Sequence, residues 1–260
     1  MINLAIDIGN TRCKLSNEKS VFRVPHQKSD FTSLFPEILR DFQAEGEQCT
    51  WWIASVNRTI FRNVTDWIAQ NRPADRVNVL NALNVPIQVD VEFPEKVGVD
   101  LLLSAITANE IRDPGRPAIV VDLGTVAKVD LVDENGVFRG GAFAPGLRMG
   151  ALAMEQQTDA LPELDVMEML HRMETHGIPS VAQNTIAAMQ AGLFWGMVGT
   201  IRELATRTAS TLAIPPQIFL TGGGAKTVRD ALGDGFTYVD EMVMKGIWTT
   251  IRKLNRDGGR

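Results

Sequence analysis

The sequence predicts an α/β fold in two halves, because one strand–turn–strand motif occurs near the start of each half. Ile2 to Leu15 alternates apolar residues at Leu4, Ile6 and Ile8 and carries Asp7-Ile8-Gly9-Asn10-Thr11. Ala118 to Val132 repeats the plan: Ile119-Val120-Val121 runs into Asp122-Leu123-Gly124-Thr125, and alternation resumes beyond it. Around both copies, strand-like and helix-like spacings follow one another along the chain. A strand that delivers Asp into a glycine turn and returns as a second strand suits a phosphate ligand. Glycine lets the backbone come close, the turn's N–H groups point at phosphate oxygens, and the carboxylate can hold a cation. One Asp-x-Gly-Thr alone reads as a hairpin turn. Two copies in the same context point to a nucleotide, with the pair facing each other across it.

Length and composition bound the rest. A chain of 260 residues has material for two domains or one large one. Hydrophobic content of 45% and charged content of 22% are those of an ordinary soluble protein. The net charge of −5 gives no electrostatic reason to expect nucleic acid or an anionic membrane as partner. The two cysteines, Cys13 and Cys49, form no CxxC pattern and fit a reducing cytoplasm. No stretch reaches the length of a bilayer span, and no basic segment leads into an apolar one at the start. The expectation is a cytoplasmic enzyme.

The elements then follow in order. After the opening hairpin, Ser29 to Phe42 has helical spacing through Phe31, Leu34, Phe35, Ile38, Leu39 and Phe42. Thr50 to Val56 reads as a buried strand and Thr59 to Gln70 as a helix through Ile60, Val64, Trp67 and Ile68. Val77 to Leu80 and Ile87 to Val91 are short strand candidates, and Val99 to Ile111 is a helix. Asp113-Pro114-Gly115-Arg116-Pro117 breaks any helix and sets the boundary between domains at 1–113 and 117–260. Beyond it comes a meander of Ala118 to Val126, Ala127 to Val132 and Val137 to Ala144, with a turn at Asp133-Glu134-Asn135-Gly136. Helices are expected at Leu147 to Gln156, around Met167 to His171, at Asn184 to Thr206 and at Ala225 to Leu232. Gly192, Gly196 and Gly199 give the third of these a smooth face suited to helix packing. Lys253 to Arg260 reads as a frayed polar tail.

Three glycine-rich turns end strands. The third, Thr221-Gly222-Gly223-Gly224, follows Ile218-Phe219-Leu220 and precedes a helix, where backbone donors and the helix dipole suit a nucleotide. It lacks the lysine of a P-loop, and none of the three is a Rossmann fingerprint. Gly140-Gly141 to Pro145-Gly146 reads either as a fourth such element or as a loop. Gly98-Val99-Asp100 opens a helix, where Asp100 either caps or complements the dipole or carries chemistry. His26, His171 and His176 read as surface or packing residues; a spacing of five does not put the last two on one helix face.

In this order and spacing, Asp7-x-Gly-Asn-Thr, Gly98-x-Asp100, Asp122-x-Gly-Thr125, Gly140-Gly-x-x-x-Pro-Gly146, Thr158-x-x-Leu161-Pro162, Asn184-Thr185 and Thr221-Gly-Gly224 resemble the type III pantothenate kinases. The resemblance runs over nearly the whole chain. It implies two duplicated actin-like (ribonuclease H-like) α/β domains with mixed sheets and a nucleotide cleft between them. It further implies ATP-dependent phosphorylation of pantothenate to 4'-phosphopantothenate, the first step of coenzyme A biosynthesis, by a homodimer. The matching positions imply ATP contacts at Asp7, Ile8, Gly9, Asn10, Thr11, Arg12, Cys13, Lys14 and Thr125, which Gly222 and Gly223 join. Asp7 would face Mg²⁺ and Asp122 a monovalent cation, K⁺ or NH4⁺. Asp100 matches the general base, and Gly98, Val99, Leu101 and Thr185 match the surroundings of the substrate.

The departures bear on the acceptor. The family places Arg after the base, where this chain has Leu101, and Tyr where it has Val91. Val126 replaces an Ala and Lys128 a Thr. Losing a charge-assisted hydrogen bond costs about 1.5–3 kcal/mol, roughly tenfold to a hundredfold in affinity. Lys128 supplies positive charge elsewhere or occupies the position of the monovalent cation. Arg58, Arg112 and Arg148 are candidates to replace the missing guanidinium. Three readings stay open: pantothenate kinase, a kinase with another acceptor, and a noncatalytic nucleotide-binding paralogue.

Overall fold

A computed structural model of the chain describes residues 2–25, 31–166, 168–171 and 177–257. Expectations resting on His26, Ser29, Met167, His176 and residues 258–260 lie outside the described residues. The chain divides into two packed units, Met1–Glu110 with Met242–Arg260, and Ile111–Glu241. The helices described over their whole length are α1 (Phe35–Asp41), α2 (Arg58–Asn71), α3 (Val99–Ile111), α4 (Leu147–Gln156), α5 (Thr185–Ala209), α6 (Ala225–Leu232) and α7 (Met242–Asp257), and residues 166 and 168–171 are helical as expected.

The first unit holds β1 (Ile2–Ile8), β2 (Arg12–Ser16), β3 (Val21–Pro25), β4 (Cys49–Ser55) and β5 (Arg76–Leu80), in the order β3-β2-β1-β4-β5. The hairpin partners β1, β2 and β3 pair antiparallel, whereas β4 and β5 add parallel to β1. Parallel neighbours need a crossover, which α1 and α2 supply. α2 begins where Asn57 accepts a hydrogen bond from the Ile60 N–H at 3.1 Å, an N-cap. The alternation of β1 sends Leu4, Ile6 and Ile8 to one face, where they pack with Phe35, Ile38 and Leu39 of α1 and Val64 and Ile68 of α2. α7 lies against β1 and β4.

The second unit repeats this plan strand for strand. β6 (Ala118–Leu123), β7 (Val126–Val132), β8 (Phe138–Pro145), β9 (Gln217–Thr221) and β10 (Phe236–Tyr238) run in the order β10-β9-β6-β7-β8. Again the hairpin strands are antiparallel and the last two parallel. Ile119, Val121 and Leu123 of β6, with Ala127 and Val129 of β7, pack against Phe194, Met197, Val198 and Ile201 of α5 and Val228 of α6. The duplication that the repeated motif predicts is therefore present as two sheets of one topology. Among the described residues, no helix is long and apolar enough to cross a membrane.

Three expectations change. The segment expected as a second domain, 117–260, packs as a unit only as far as Glu241, because α7 returns to the first unit. The tail beyond Lys253 is helical through Asp257 rather than frayed. The cause is an apolar stripe, Met242, Met244, Ile247, Trp248 and Ile251, whose burial is nearly complete. Trp248 Nε1 donates to Ser16 Oγ at 3.1 Å, and Thr107 Oγ1 of α3 donates to the Met242 carbonyl at 2.7 Å. Ile87 to Val91 is not a strand; only Val89 makes a bridge, and Pro86 removes a ladder donor beside it.

Candidate functional site

In the first unit, β1 delivers Asp7 to the turn Gly9-Asn10-Thr11, and β2 carries Lys14 back to the facing position. The Gly9 N–H donates to the Arg12 carbonyl at 3.0 Å and closes the turn, while the Val56 N–H donates to the Ile8 carbonyl and anchors it to the end of β4. Asp7 is only 8% exposed, and its Oδ2 lies 3.5 Å from Lys14 Nζ. Asn10 and Arg12 are exposed and Thr11 partly so. Ile8 and Cys13 point into the core, so these two offer backbone rather than side chain to a ligand. Burial pushes the Cys13 thiol up, and the Asp7 carboxylate adds to the effect, which leaves an unreactive apolar group.

The same unit carries the candidate base. Gly98 precedes α3, and its carbonyl accepts from the Leu101 N–H at 3.1 Å, starting the helix. Asp100 stands in the first turn, where a negative charge complements the helix dipole. Its Oδ1 accepts from the Leu101 N–H at 3.0 Å and lies where a Cβ on Gly98 would come within 2.6 Å. Asp100 is half-buried, whereas Val99 and Leu101 are buried. Leu101, where the resemblance implies an Arg, is therefore a buried aliphatic side chain.

In the second unit the structure brings the glycine turns together around Asp122. The Gly224 N–H donates to the Leu123 carbonyl at 3.0 Å, and the Gly146 N–H donates to the Thr125 carbonyl at 3.1 Å. A Cβ at Gly146 would collide with the carbonyls of Gly124 and Thr125, and one at Gly222 would lie 2.5 Å from Asp122 Oδ1. The turn after β6, the turn after β9 and the start of α4 are thus packed backbone to backbone. This settles Gly146 as part of the cluster rather than of a separate loop; its signal in the sequence was the Pro-Gly pair ahead of a helix. Gly223 is exposed at the mouth of its turn, and Thr125 is half-buried. Across the ladder from Asp122 stands Lys128, with Nζ 3.1 Å from Asp122 Oδ2.

Thr185 is exposed at the start of α5, where Asn184 caps the helix by accepting from the Ala187 N–H at 2.9 Å. Arg112 donates to the carbonyls of Arg116, Asp133 and Glu134, so its guanidinium is committed to that loop. Arg58 and Arg148 are exposed, as is His171. Among the described residues, no three His, Cys, Asp or Glu side chains converge as a metal cage.

Residues 3–207 match the family model of type III pantothenate kinase. The type III pantothenate kinase of Agathobacter rectalis is 27% identical over 266 residues, with 98% of each chain covered. That of Dinoroseobacter shibae is 29% identical over 275 residues, covering 98% of this chain and 99% of the relative. Among solved structures, an apo ParM protein aligns with a TM-score of 0.52 at 10% identity over 99% of both chains. The activator of the 2-hydroxyisocaproyl-CoA dehydratase from Clostridium difficile, with bound ADPNP, aligns with a TM-score of 0.51 at 12% identity over 100% of this chain and 98% of that one. These likenesses show the actin-like ATPase fold that the two equivalent sheets embody. Because the family match runs through both Asp–glycine hairpins and on into α5, the chain belongs to the type III pantothenate kinase family.

Proposed function

We propose that the protein transfers the γ-phosphoryl group of ATP to the primary hydroxyl of pantothenate, giving ADP and 4'-phosphopantothenate for coenzyme A synthesis. The observation that carries this reading is the family match spanning both hairpins and the helix that bears Asp100. Phosphoryl transfer asks chiefly for positioning and charge neutralisation. The backbone N–H groups of Gly9 to Arg12 in the first unit, and Thr125, Gly222 and Gly223 in the second, are suited to phosphate oxygens. Asp100 accepts the proton of the hydroxyl as its oxygen attacks the γ-phosphorus, and the bond to the β–γ bridging oxygen breaks toward ADP.

Mg²⁺ fits this chain. That ion commonly takes one or two protein carboxylates, completing its shell with water and phosphate oxygens. Asp7, at the start of the turn, provides such a carboxylate, and the absence of a cage among the described residues is no obstacle. When bound, Mg²⁺ neutralises the β- and γ-phosphate charge. The monovalent cation implied at Asp122 does not fit: Oδ2 faces the Lys128 ammonium and Oδ1 abuts the Gly222 turn.

A second acceptor is the alternative that Leu101 favours, since an aliphatic side chain offers nothing to a carboxylate and Arg112 is engaged elsewhere. A homodimer in the cytoplasm is also part of the proposal. The test is ADP release with Mg-ATP, with and without pantothenate. Pantothenate-dependent release supports the reading, and ATP binding without it would turn the search to another acceptor.

A further inference from the structure

We propose that Lys128 is a tethered cation that replaces the monovalent metal ion at Asp122, so that nucleotide handling by this protein is independent of K⁺ and NH4⁺. The inference rests on the kinase reading for its nucleotide but not for its acceptor. Two structural observations carry it. In each unit an Asp at the end of the first strand faces a Lys on the returning strand: Asp7 with Lys14, and Asp122 with Lys128. The ladder places both pairs at equivalent positions, although the first turn is one residue longer than the second, Ile8 facing Cys13 and Leu123 facing Ala127. The second pair is the shorter, 3.1 Å against 3.5 Å, and its side chains are only 15% and 17% exposed.

The surroundings tell against a simple surface ion pair. Asp122 is the carboxylate on which the glycine turns of the second unit converge. Its Oδ1 lies 2.5 Å from where a Cβ at Gly222 would be, which leaves no room for a side chain there, and within van der Waals reach, 3.9 Å, of the corresponding position at Gly124. A potassium ion needs a set of oxygens to replace its hydration shell. Here an ammonium already stands on Oδ2 and the Gly222 backbone hems in Oδ1. A lysine ammonium carries the same single charge as K⁺, donates hydrogen bonds as NH4⁺ does, and does not dissociate. Fixing it beside the turns keeps a positive charge near the phosphates at every salt composition.

The test uses the full chain in KCl, NH4Cl and choline chloride at equal ionic strength, reading Mg-ATP affinity by calorimetry and, separately, ADP release with pantothenate. Wild-type affinity is expected to stay within about twofold across the salts, since screening is matched. Lys128→Met is expected to bind Mg-ATP about tenfold to a hundredfold more weakly in choline, the loss of one charge-assisted contact. K⁺ or NH4⁺, but not choline, should restore it. Lys128→Gln, which keeps a polar end for Asp122, serves as the second variant, and the wild-type salt series needs neither. A wild type that loses tenfold in choline overturns the proposal, as does a variant that binds normally there or is not rescued by K⁺. Absent turnover with the affinity pattern intact overturns pantothenate as acceptor and leaves Lys128 in its role.

Discussion

Gly246 of α7 faces the backbone of Leu103 in α3 so closely that a Cβ there would collide with the Leu103 carbonyl. Two helices far apart in sequence are thereby held backbone to backbone, and one of them carries Asp100 in its first turn. Gly246→Ala is expected to destabilise the protein by about 1–3 kcal/mol through overpacking. Gly192→Ala on the exposed face of α5, where a Cβ would meet nothing, is expected to raise stability by up to about 1 kcal/mol on helix propensity. Urea denaturation of both variants checks the pair, and equal midpoints would refute the close contact.

Gly222 sits at φ +96° with Asp122 Oδ1 and the Leu123 N–H directly against it. Gly222→Ala therefore meets both a left-handed backbone and a filled space, at a cost of about 1–3 kcal/mol. Weaker Mg-ATP binding should accompany the loss. Gly223→Ala has open space and should keep the wild-type melting temperature. Thermal melts that fail to separate the two would remove Gly222 from the packed cluster.

Asp100→Asn keeps the shape of the side chain and removes its basicity. Turnover with pantothenate should fall by about a hundredfold to ten-thousandfold, the usual yield of general acid–base catalysis, with Mg-ATP affinity unchanged. Near-normal turnover would take Asp100 out of the proton transfer and leave it as a complement to the α3 dipole.

Asp75 supplies a pH dependence. Burial pushes its carboxyl up, but Arg72, the Cys49 N–H and the Trp51 indole outweigh this and hold it below the ordinary carboxylate range. The Arg72 Nε lies 2.8 Å from Asp75 Oδ2, the Cys49 N–H donates to Oδ1 at 2.9 Å, and the Trp51 Nε1 donates to Oδ2 at 2.8 Å. A lowered folded value means that the stabilisation is complete above the unfolded value of about 4 and is lost as pH falls through the folded one. The gap in melting temperature between wild type and Asp75→Asn should thus be widest near neutrality and close in acid. A gap that stays constant from neutral pH into acid would show that the charge contributes nothing.

Much of the candidate site was legible because its signals are local. A strand that ends in Asp-x-Gly announces its own turn and so marks Asp7 and Asp122, while a glycine run between a strand and a helix marks Gly222. The helix behind Gly98 was equally clear, since Val99 to Ile111 has no breaker until Pro114. Other elements gave weak signals. β3 and β10 are edge strands of five and three residues, too short for alternation to identify them. Ile87 to Val91 has strand-forming residues but pairs only at Val89. The C-terminal part of α7, from Lys253 on, is charged and runs into a glycine-rich end, so its helical signal lies in the apolar stripe that precedes it.

By itself, the sequence determined the duplication and the class of each hairpin, because turn chemistry and two-residue alternation act over a few neighbours. Only the tertiary structure decided where the C-terminal helix belongs, that Gly146 joins the turns around Asp122, and that Lys128 faces that carboxylate rather than solvent. Each of these depends on contacts between residues remote in sequence, where sheet register and steric exclusion choose the partner.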